Sequence, residues 1–137
     1  MMILYVCYIG LLLYAAYKDY KTYTISNYLN LGILILSLSD ILTFPMHLLG
    51  AVIITVPFLY LGVKTNGLGG GDIKFIFANG CMLGLYANYI GVLLGFLFVS
   101  VTILVKKINK TYDGRRKIAL VPYLTAGYVI VIIGRLF

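Results

Sequence analysis

The chain has four acidic residues, all of them aspartate, and two stand beside apolar segments. Asp19 follows the apolar run that opens the chain, and Asp72 lies in the stretch GLGGGDIK, directly before another apolar run. Two carboxyl groups held close together cannot both ionise easily, so the pair can share one proton near working pH. One group can then accept a proton from water as it attacks a peptide carbonyl, while the other donates a proton. These residue types suit an aspartyl hydrolase, provided that the fold brings them together.

The composition predicts a membrane protein. Hydrophobic residues make up 62% of the 137 residues and charged residues only 11%, with a mean hydropathy of +1.02. A soluble domain of this size needs a polar surface that four acids and eleven bases cannot supply, so lipid must be the outer solvent. We therefore predict the lipid bilayer as a partner, with no nucleic-acid partner, and the lysine- and isoleucine-rich usage favours the plasma membrane of a prokaryote as the location.

The two cysteines, Cys7 and Cys81, each lie in an apolar segment, without a C-x-x-C pair or a histidine neighbour. This spacing favours neither a disulfide framework nor a zinc site. We expect both to be buried free thiols, and we predict no metal and no cofactor.

Six apolar segments predict an all-α polytopic membrane protein with six transmembrane helices in a single domain over residues 1–137. The first segment, residues 1–17, has no basic start and no A-x-A cleavage site, so it predicts a retained span rather than a signal peptide. Polar residues, Pro45, the glycine cluster and a basic loop separate the later segments. These are residues 28–42, 46–63, 73–85, 89–105 and 118–136.

The basic residues predict the orientation of the six spans. Nine of the eleven bases lie between spans one and two, three and four, or five and six, and Lys74 is the second residue of the fourth span, so ten bases share one face. The positive-inside rule places these segments in the cytosol and both termini outside. Asp19 and Asp72 then lie at the same cytosolic membrane boundary and can meet. We expect no catalytic role for Asp40, near the external end of the second span, or for Asp113, among the bases of the longest loop.

The glycines allow other interpretations. Asp72 could simply be a helix N-cap after an ordinary glycine loop. A phosphate-binding loop is a weaker interpretation, because the pattern G-x-x-x-x-G-K-[ST] is absent. Further along the chain, two G-x-x-x-G pairs, Gly80 with Gly84 and Gly91 with Gly95, predict close approach of the fourth and fifth helices.

Three stretches together resemble the type IV prepilin peptidases, which are membrane aspartyl proteases of the GxGD class. The first is Asp19 followed by TISN at residues 24–27, and the second is GLGGGDIKFIFANGCMLG at residues 67–84. The third is VPYLTAGYV at residues 121–129, which is similar to the proline-containing last helix of that family. The resemblance spans nearly the whole chain.

The resemblance implies a protease that removes the short basic leader of prepilins or pilin-like proteins at the cytosolic edge of the membrane. It implies that Asp19 and Asp72 are the catalytic pair. Gly69, Gly70 and Gly71 would form a mobile loop that faces the substrate, because a loop without side chains can approach an extended strand closely. Lys74, two residues after Asp72, belongs to the same motif and would support this loop.

The chain departs from the family pattern in two respects. It lacks the cysteine-rich cytosolic segment of larger bacterial members, so we predict cleavage without N-methylation of the new pilin terminus. It also has Ile25-Ser26-Asn27 where the family often has Ile-Pro-Asn. Two alternatives stay open: a non-enzymatic transporter subunit or assembly scaffold, and a GxGD protease that cleaves other membrane helices, as presenilins and signal peptide peptidases do. The sequence identifies neither the pilin system nor the oligomeric state.

Overall fold

A computed structural model describes residues 2–136 and contains five helices, with no strand among these residues. The prediction of an all-α protein is confirmed. The helices are α1 (Met2–Thr22), α2 (Asn27–Thr43), α3 (Met46–Thr65), α4 (Gly70–Ile108) and α5 (Val121–Leu136).

Helix α4 is interrupted at a single residue. Gly84 has φ 79° and ψ −179°, values in the left-handed half of the map that glycine tolerates and other residues rarely adopt. Across this break, the Asn88 Nδ2 donates a hydrogen bond to the Ile76 carbonyl at 3.3 Å. Residues twelve apart in one continuous helix would be separated by about 18 Å. The parts 70–83 and 85–108 therefore fold back on each other, and the fourth and fifth predicted segments are joined through one glycine rather than a loop.

The lengths of the helices are compatible with a membrane protein. By length and composition, α3 and α4 are long and apolar enough to cross a membrane. Helices α2 and α5 are shorter apolar helices of 17 and 16 residues. Together with the hydrophobic composition, these helices suggest a location in the membrane.

Small residues allow α3 and α5 to pack closely against α4. A Cβ atom added at Gly80 would lie 2.6 Å from the Ala51 Cα of α3, and one at Gly95 would lie 2.9 Å from the Leu124 Cα of α5. The prediction that the glycine pairs join the fourth and fifth helices is correct only for Gly80, whose added Cβ would also lie 2.6 Å from the Asn88 Nδ2. The second pair receives α5 instead, because α5 is the helix that packs on residues 85–108.

Two pairs of buried polar side chains connect α1 and α5 to α4. The Tyr8 hydroxyl of α1 donates to the Asn79 Oδ1, and the Asn79 Nδ2 donates to the Phe75 carbonyl at 2.7 Å. The Tyr128 hydroxyl of α5 donates to the Asn88 Oδ1 at 2.8 Å. All four side chains are completely buried. Because buried polar groups are stable when hydrogen-bonded, these pairs fix α1 and α5 in register with α4.

The two cysteines have different surroundings. Cys81 is buried in α4, as predicted, but Cys7 is exposed on the outer side of α1. The prediction of a buried thiol was wrong for Cys7, because an apolar segment does not specify which face of a helix packs inward.

Candidate active site

Two helix ends and one loop meet around a cavity of about 310 Å³. The helix ends are the C-terminal end of α1, which carries Asp19, and the N-terminal end of α4, which carries Asp72. The loop is the segment just before α5. Asp19 and Asp72 both line this cavity, and both also line a neighbouring cavity of about 280 Å³. The structure therefore brings together the two carboxylate residues that the sequence singled out.

Asp19 is held by the first residue of α5. Its side chain lies on the last turn of α1 and is only 4% exposed, and its Oδ2 accepts a hydrogen bond from the Val121 N–H at 3.1 Å. The N–H groups of the first helical turn have no partner within their own helix, so they are available for such a carboxylate. Pro122 follows in α5, where its missing N–H costs nothing. The start of α5 thus fixes the position of the Asp19 carboxyl.

Asp72 lies in the first turn of α4 and is partly buried. Gly69 occupies the N-cap position in an extended conformation, so the alternative prediction of Asp72 as the N-cap is wrong. The carboxyl of Asp72 turns back towards this glycine: a Cβ added at Gly69 would lie 3.2 Å from the Asp72 Oδ2. A larger residue at position 69 would therefore press on the carboxyl.

Burial raises the pKa of both carboxyl groups, which lie just outside the apolar segments. Burial raises the pKa of Asp72 to about 6, the charge of Asp19 acts in the same direction, and the N–H of Gly69 opposes them. Burial also raises the pKa of Asp19, and the hydrogen bond from the Val121 N–H opposes that rise. By comparison, an aspartate carboxyl group in water is almost fully ionised near neutral pH. The site therefore makes it easier for one of the two groups to hold a proton near neutral pH than it would be in water.

Of the three glycines predicted to form a loop, only Gly69 precedes α4; Gly70 and Gly71 are the first two residues of the helix, so the prediction of a loop is wrong for these two. A run of glycines does not specify where the following helix begins. Gly69 lines both cavities, whereas Gly70 and Gly71 line only the second one. None of the three has a positive φ, so this segment does not need glycine for its backbone conformation. A Cβ added at Gly70 would meet no atom within 4 Å. The space that a side chain at Gly70 would take is thus unoccupied, and Gly70 lines the second cavity together with both carboxylates.

Lys74 is not beside the carboxylates. Its exposed side chain points to the start of α2, where its Nζ donates to the Asn27 Oδ1 at 3.2 Å. This bond connects two motif residues that are 47 positions apart. It links the first turn of α4 to the first turn of α2 at the edge of the site.

Three residues of the site were not predicted from the sequence. Tyr23 follows α1 with a φ of 53°, its N–H donates to the Asp19 carbonyl at 2.8 Å, and its side chain lines both cavities. Lys117 lines the first cavity, and Val121 supplies the hydrogen bond to Asp19. Tyr23 could have been suspected from its position four residues after Asp19. The other two depend on where α5 docks, which no local pattern specifies.

The other two aspartates lie away from these cavities, as predicted. The Oδ2 of Asp113, which is exposed, lies 3.8 Å from the Arg116 Nε, and its Oδ1 accepts from the Arg115 N–H at 3.1 Å. Asp40 is in the last turn of α2, at the opposite end of that helix from Asn27. No group of three or more His, Cys, Asp or Glu residues that could hold a metal ion occurs within residues 2–136.

Comparison with known proteins defines the chain as a protease. The model of the type IV leader peptidase family matches residues 6–104, which is more than half of the chain. The protein belongs to this family, and the resemblance to type IV prepilin peptidases is confirmed. The matched range contains Asp19, Asp72 and Lys74 and ends before α5. No curated protein and no solved structure gives a significant match.

Proposed function

We propose that the protein is an aspartic endopeptidase that removes the basic leader peptide of type IV prepilin-like proteins at the cytosolic boundary of the plasma membrane. The observation that carries the proposal is that Asp19 and Asp72, from two different helices, line the same two cavities. Membership of the type IV leader peptidase family supports pilin-like proteins as the substrates.

The proposal includes a topology in which residues 1–137 form one domain with six membrane spans and both termini outside. The spans lie within α1, α2, α3, residues 70–83, residues 85–108 and α5, and Asp19 and Asp72 stand beyond the apolar parts of two of these helices, at their cytosolic ends. This arrangement is supported by the reversal at Gly84, because the chain can cross back there without a loop. It is also supported by the bases, ten of which then share the cytosolic face with the two carboxylates.

The two carboxyl groups have separate roles in the proposed reaction. Asp19, whose carboxylate accepts the Val121 N–H, is the base, and Asp72, whose pKa rises to about 6, is the group that carries the proton in the reactive form. Asp19 removes a proton from a water molecule as the water oxygen attacks the scissile carbonyl carbon, while Asp72 protonates the carbonyl oxygen. The C–N bond of the tetrahedral intermediate then breaks, and the leaving nitrogen takes the proton held by Asp19. One hydroxyl of the intermediate returns its proton to Asp72 as the carbonyl of the product re-forms. These steps use no metal and no covalent intermediate.

The helix ends assist this chemistry. The positive end of the α4 dipole lies at Gly69 and Gly70, beside the position where the substrate carbonyl must sit. Such a fixed dipole stabilises negative charge that develops on the carbonyl oxygen. Gly70 lines the second cavity together with both carboxylates, and no atom fills the space that its side chain would take, so an extended substrate segment can approach the backbone there.

Co-expression with a prepilin-like substrate tests the proposal. Asp19→Asn and Asp72→Asn should each reduce leader removal by about 10²- to 10⁴-fold, which is the range for loss of a general acid or base. Asp40→Asn and Asp113→Asn are the matched controls and should retain normal cleavage. Each variant is first checked for membrane insertion and amount. Normal cleavage by an inserted Asp19→Asn or Asp72→Asn protein would refute the two-carboxylate mechanism.

A further inference from the structure

A groove of about 390 Å³ lies between α2, α3 and α4, and two of its side chains are polar, buried and unpaired. Asn30 of α2 is 4% exposed, yet neither its amide nitrogen nor its amide oxygen has a hydrogen-bond partner among residues 2–136. Thr55 of α3 is 9% exposed, and its hydroxyl is equally unpaired within that range. Leaving such groups without partners costs about 1–3 kcal/mol each. We call this cavity the α2–α4 groove. The free amide of Asn30 and the free hydroxyl of Thr55 can form hydrogen bonds with a molecule that enters it.

The remaining lining of the α2–α4 groove is mostly apolar. Leu31, Leu34, Leu59 and Phe77 form its walls, and Lys74 stands at one end. The positions from Asn27 to Leu34 extend about 10 Å along α2. Since the outer surface of the bundle faces lipid in the proposed topology, an apolar segment can enter from the membrane plane without crossing water.

The α2–α4 groove continues towards the carboxylates. Ile73 and Lys74 line the groove and directly follow Asp72 in the chain, while Asn27 closely follows Ile25, which lines the second carboxylate cavity. The hydrogen bond from Lys74 to Asn27 joins α4 to α2 at this end of the groove. The end of a bound molecule that lies beside Ile73 and Lys74 is therefore within a few residues' length of Asp72.

We infer that the α2–α4 groove holds the hydrophobic helix of the substrate, an inference that rests on the proposed function. A peptide backbone offers the N–H and the C=O that the two unpaired atoms of Asn30 require, whereas a fatty acyl chain offers neither. The first turn of a helix leaves its N–H groups free, and an unwound segment before it also exposes carbonyl groups. Leader and helix adjoin in such a substrate, so seating the helix here delivers the preceding segment to Asp19 and Asp72.

Photo-crosslinking tests this assignment without requiring cleavage. A photoreactive amino acid is placed at Leu31 or Leu59 in the groove, in an Asp72→Asn background that keeps the substrate intact. Leu97, which is 54% exposed on α4 against 53% for Leu31, is the matched control outside the groove. We expect adducts with the co-expressed substrate at positions 31 and 59 and none at 97. Adducts only with lipid, only with a second copy of the chain, or equally at all three positions would overturn the inference.

Kinetics provide a second test in the intact enzyme. Asn30→Leu and Thr55→Val remove the unpaired groups while keeping the shape of the groove. We expect a KM about tenfold higher for Asn30→Leu, with a smaller change in kcat, because one or two hydrogen bonds to the substrate are lost. The same variant should be at least as resistant to thermal unfolding as the wild type without substrate, because an unsatisfied buried amide is removed. An unchanged KM, or a loss of stability that accounts for the loss of activity, would overturn the inference.

The two proposals fail in different ways. If the wild-type protein does not remove leaders at all, the proposed function is wrong, and crosslinking still reports what occupies the groove. If the wild type cleaves normally and Asn30→Leu has the same KM, the catalytic proposal stands and the assignment of the groove is wrong.

Discussion

The core and the carboxylate end of this molecule differ in how their buried polar side chains are hydrogen-bonded. In the core, Tyr8 pairs with Asn79 and Tyr128 pairs with Asn88, so each side chain has a partner from another segment. At the carboxylate end, Asp19 accepts a single backbone N–H, and its pKa is raised rather than lowered. Polar groups that are fully paired define the packing of the helices. Groups that are left partly unpaired stay available for a substrate or a proton.

The difference follows from where each region lies along the helices. In the middle of a helix the backbone N–H groups are already used in the helix, so a buried acceptor there depends on a side-chain donor such as the hydroxyl of Tyr8 or Tyr128. The N-terminal ends of helices present free N–H groups, which can hold a carboxylate without neutralising it. A carboxylate pair is therefore easier to build where the starts of α4 and α5 meet the end of α1 than at the centres of these helices.

The largest effect concerns the two carboxylates as a unit. We expect Asp19→Asn combined with Asp72→Asn to reduce leader removal by about 10²- to 10⁴-fold, no more than the more damaging single variant, since groups that share one proton lose their function together. Initial rates of leader cleavage in membranes measure this. Losses that multiply in the double variant would show that the carboxylates act independently.

The next effect concerns the core. Tyr128→Phe removes the hydroxyl that donates to the Asn88 Oδ1 and leaves a buried acceptor unpaired, so the free energy of unfolding should fall by about 1–3 kcal/mol. Cleavage per folded molecule should be unchanged. Denaturant titration in detergent measures the loss, and Tyr86→Phe, at a side chain that is 79% exposed, is the control with little expected change. A Tyr128→Phe protein of wild-type stability would contradict the structural role of the core pair.

At the carboxylate end, replacing a buried polar side chain should raise the free energy of unfolding instead of lowering it. The pKa of Asp72 is about 6 in the folded protein, above its ordinary value of 3.8, so between these values the folded state binds more protons than the unfolded state. The stability that this carboxyl contributes is therefore lost as the pH rises from about 4 to about 6. Asp72→Asn should raise the free energy of unfolding at pH 7 by on the order of 1 kcal/mol, and the gain should vanish near pH 4. A variant that is less stable at pH 7 would contradict this.

The smallest effect concerns the edge of the site. Lys74→Met keeps most of the side-chain stem but removes the donor to the Asn27 Oδ1, so stability should fall by about 0.5–1 kcal/mol. Leader removal should fall about threefold, because the seam between α2 and α4 loosens without any change to the carboxylates. Lys106→Met, at an exposed residue in the last turn of α4, is the control. A loss as large as that of Asp72→Asn would instead place Lys74 in the chemistry.

Much of the fold could be predicted from the sequence. Runs of apolar residues predicted α2 and α3 to within two residues at each end, because polar residues and Pro45 interrupt the hydrophobic pattern there. The junction at Gly84 could not be predicted. Glycine is common inside membrane helices, so its presence did not reveal that the chain reverses at this one.

The candidate site could be predicted in part. Two rare carboxylates beside apolar segments were recognisable, since acids are costly near a membrane and usually functional. Val121 gave no such signal, because any residue at the start of α5 presents a backbone N–H. Asn30 and Thr55 were equally inconspicuous, since only the packing around a polar side chain shows whether it has a partner.

The hydrogen bond between Asp19 and Val121 has a consequence for biosynthesis. The two residues are 102 positions apart, and they belong to the first and the last helix. A ribosome exposes Asp19 early, but the donor that holds its carboxyl is made only when α5 emerges and docks. The proposed catalytic centre of a nascent chain is thus incomplete until α5 has been made and has docked, so we expect no cleavage of membrane helices before that point.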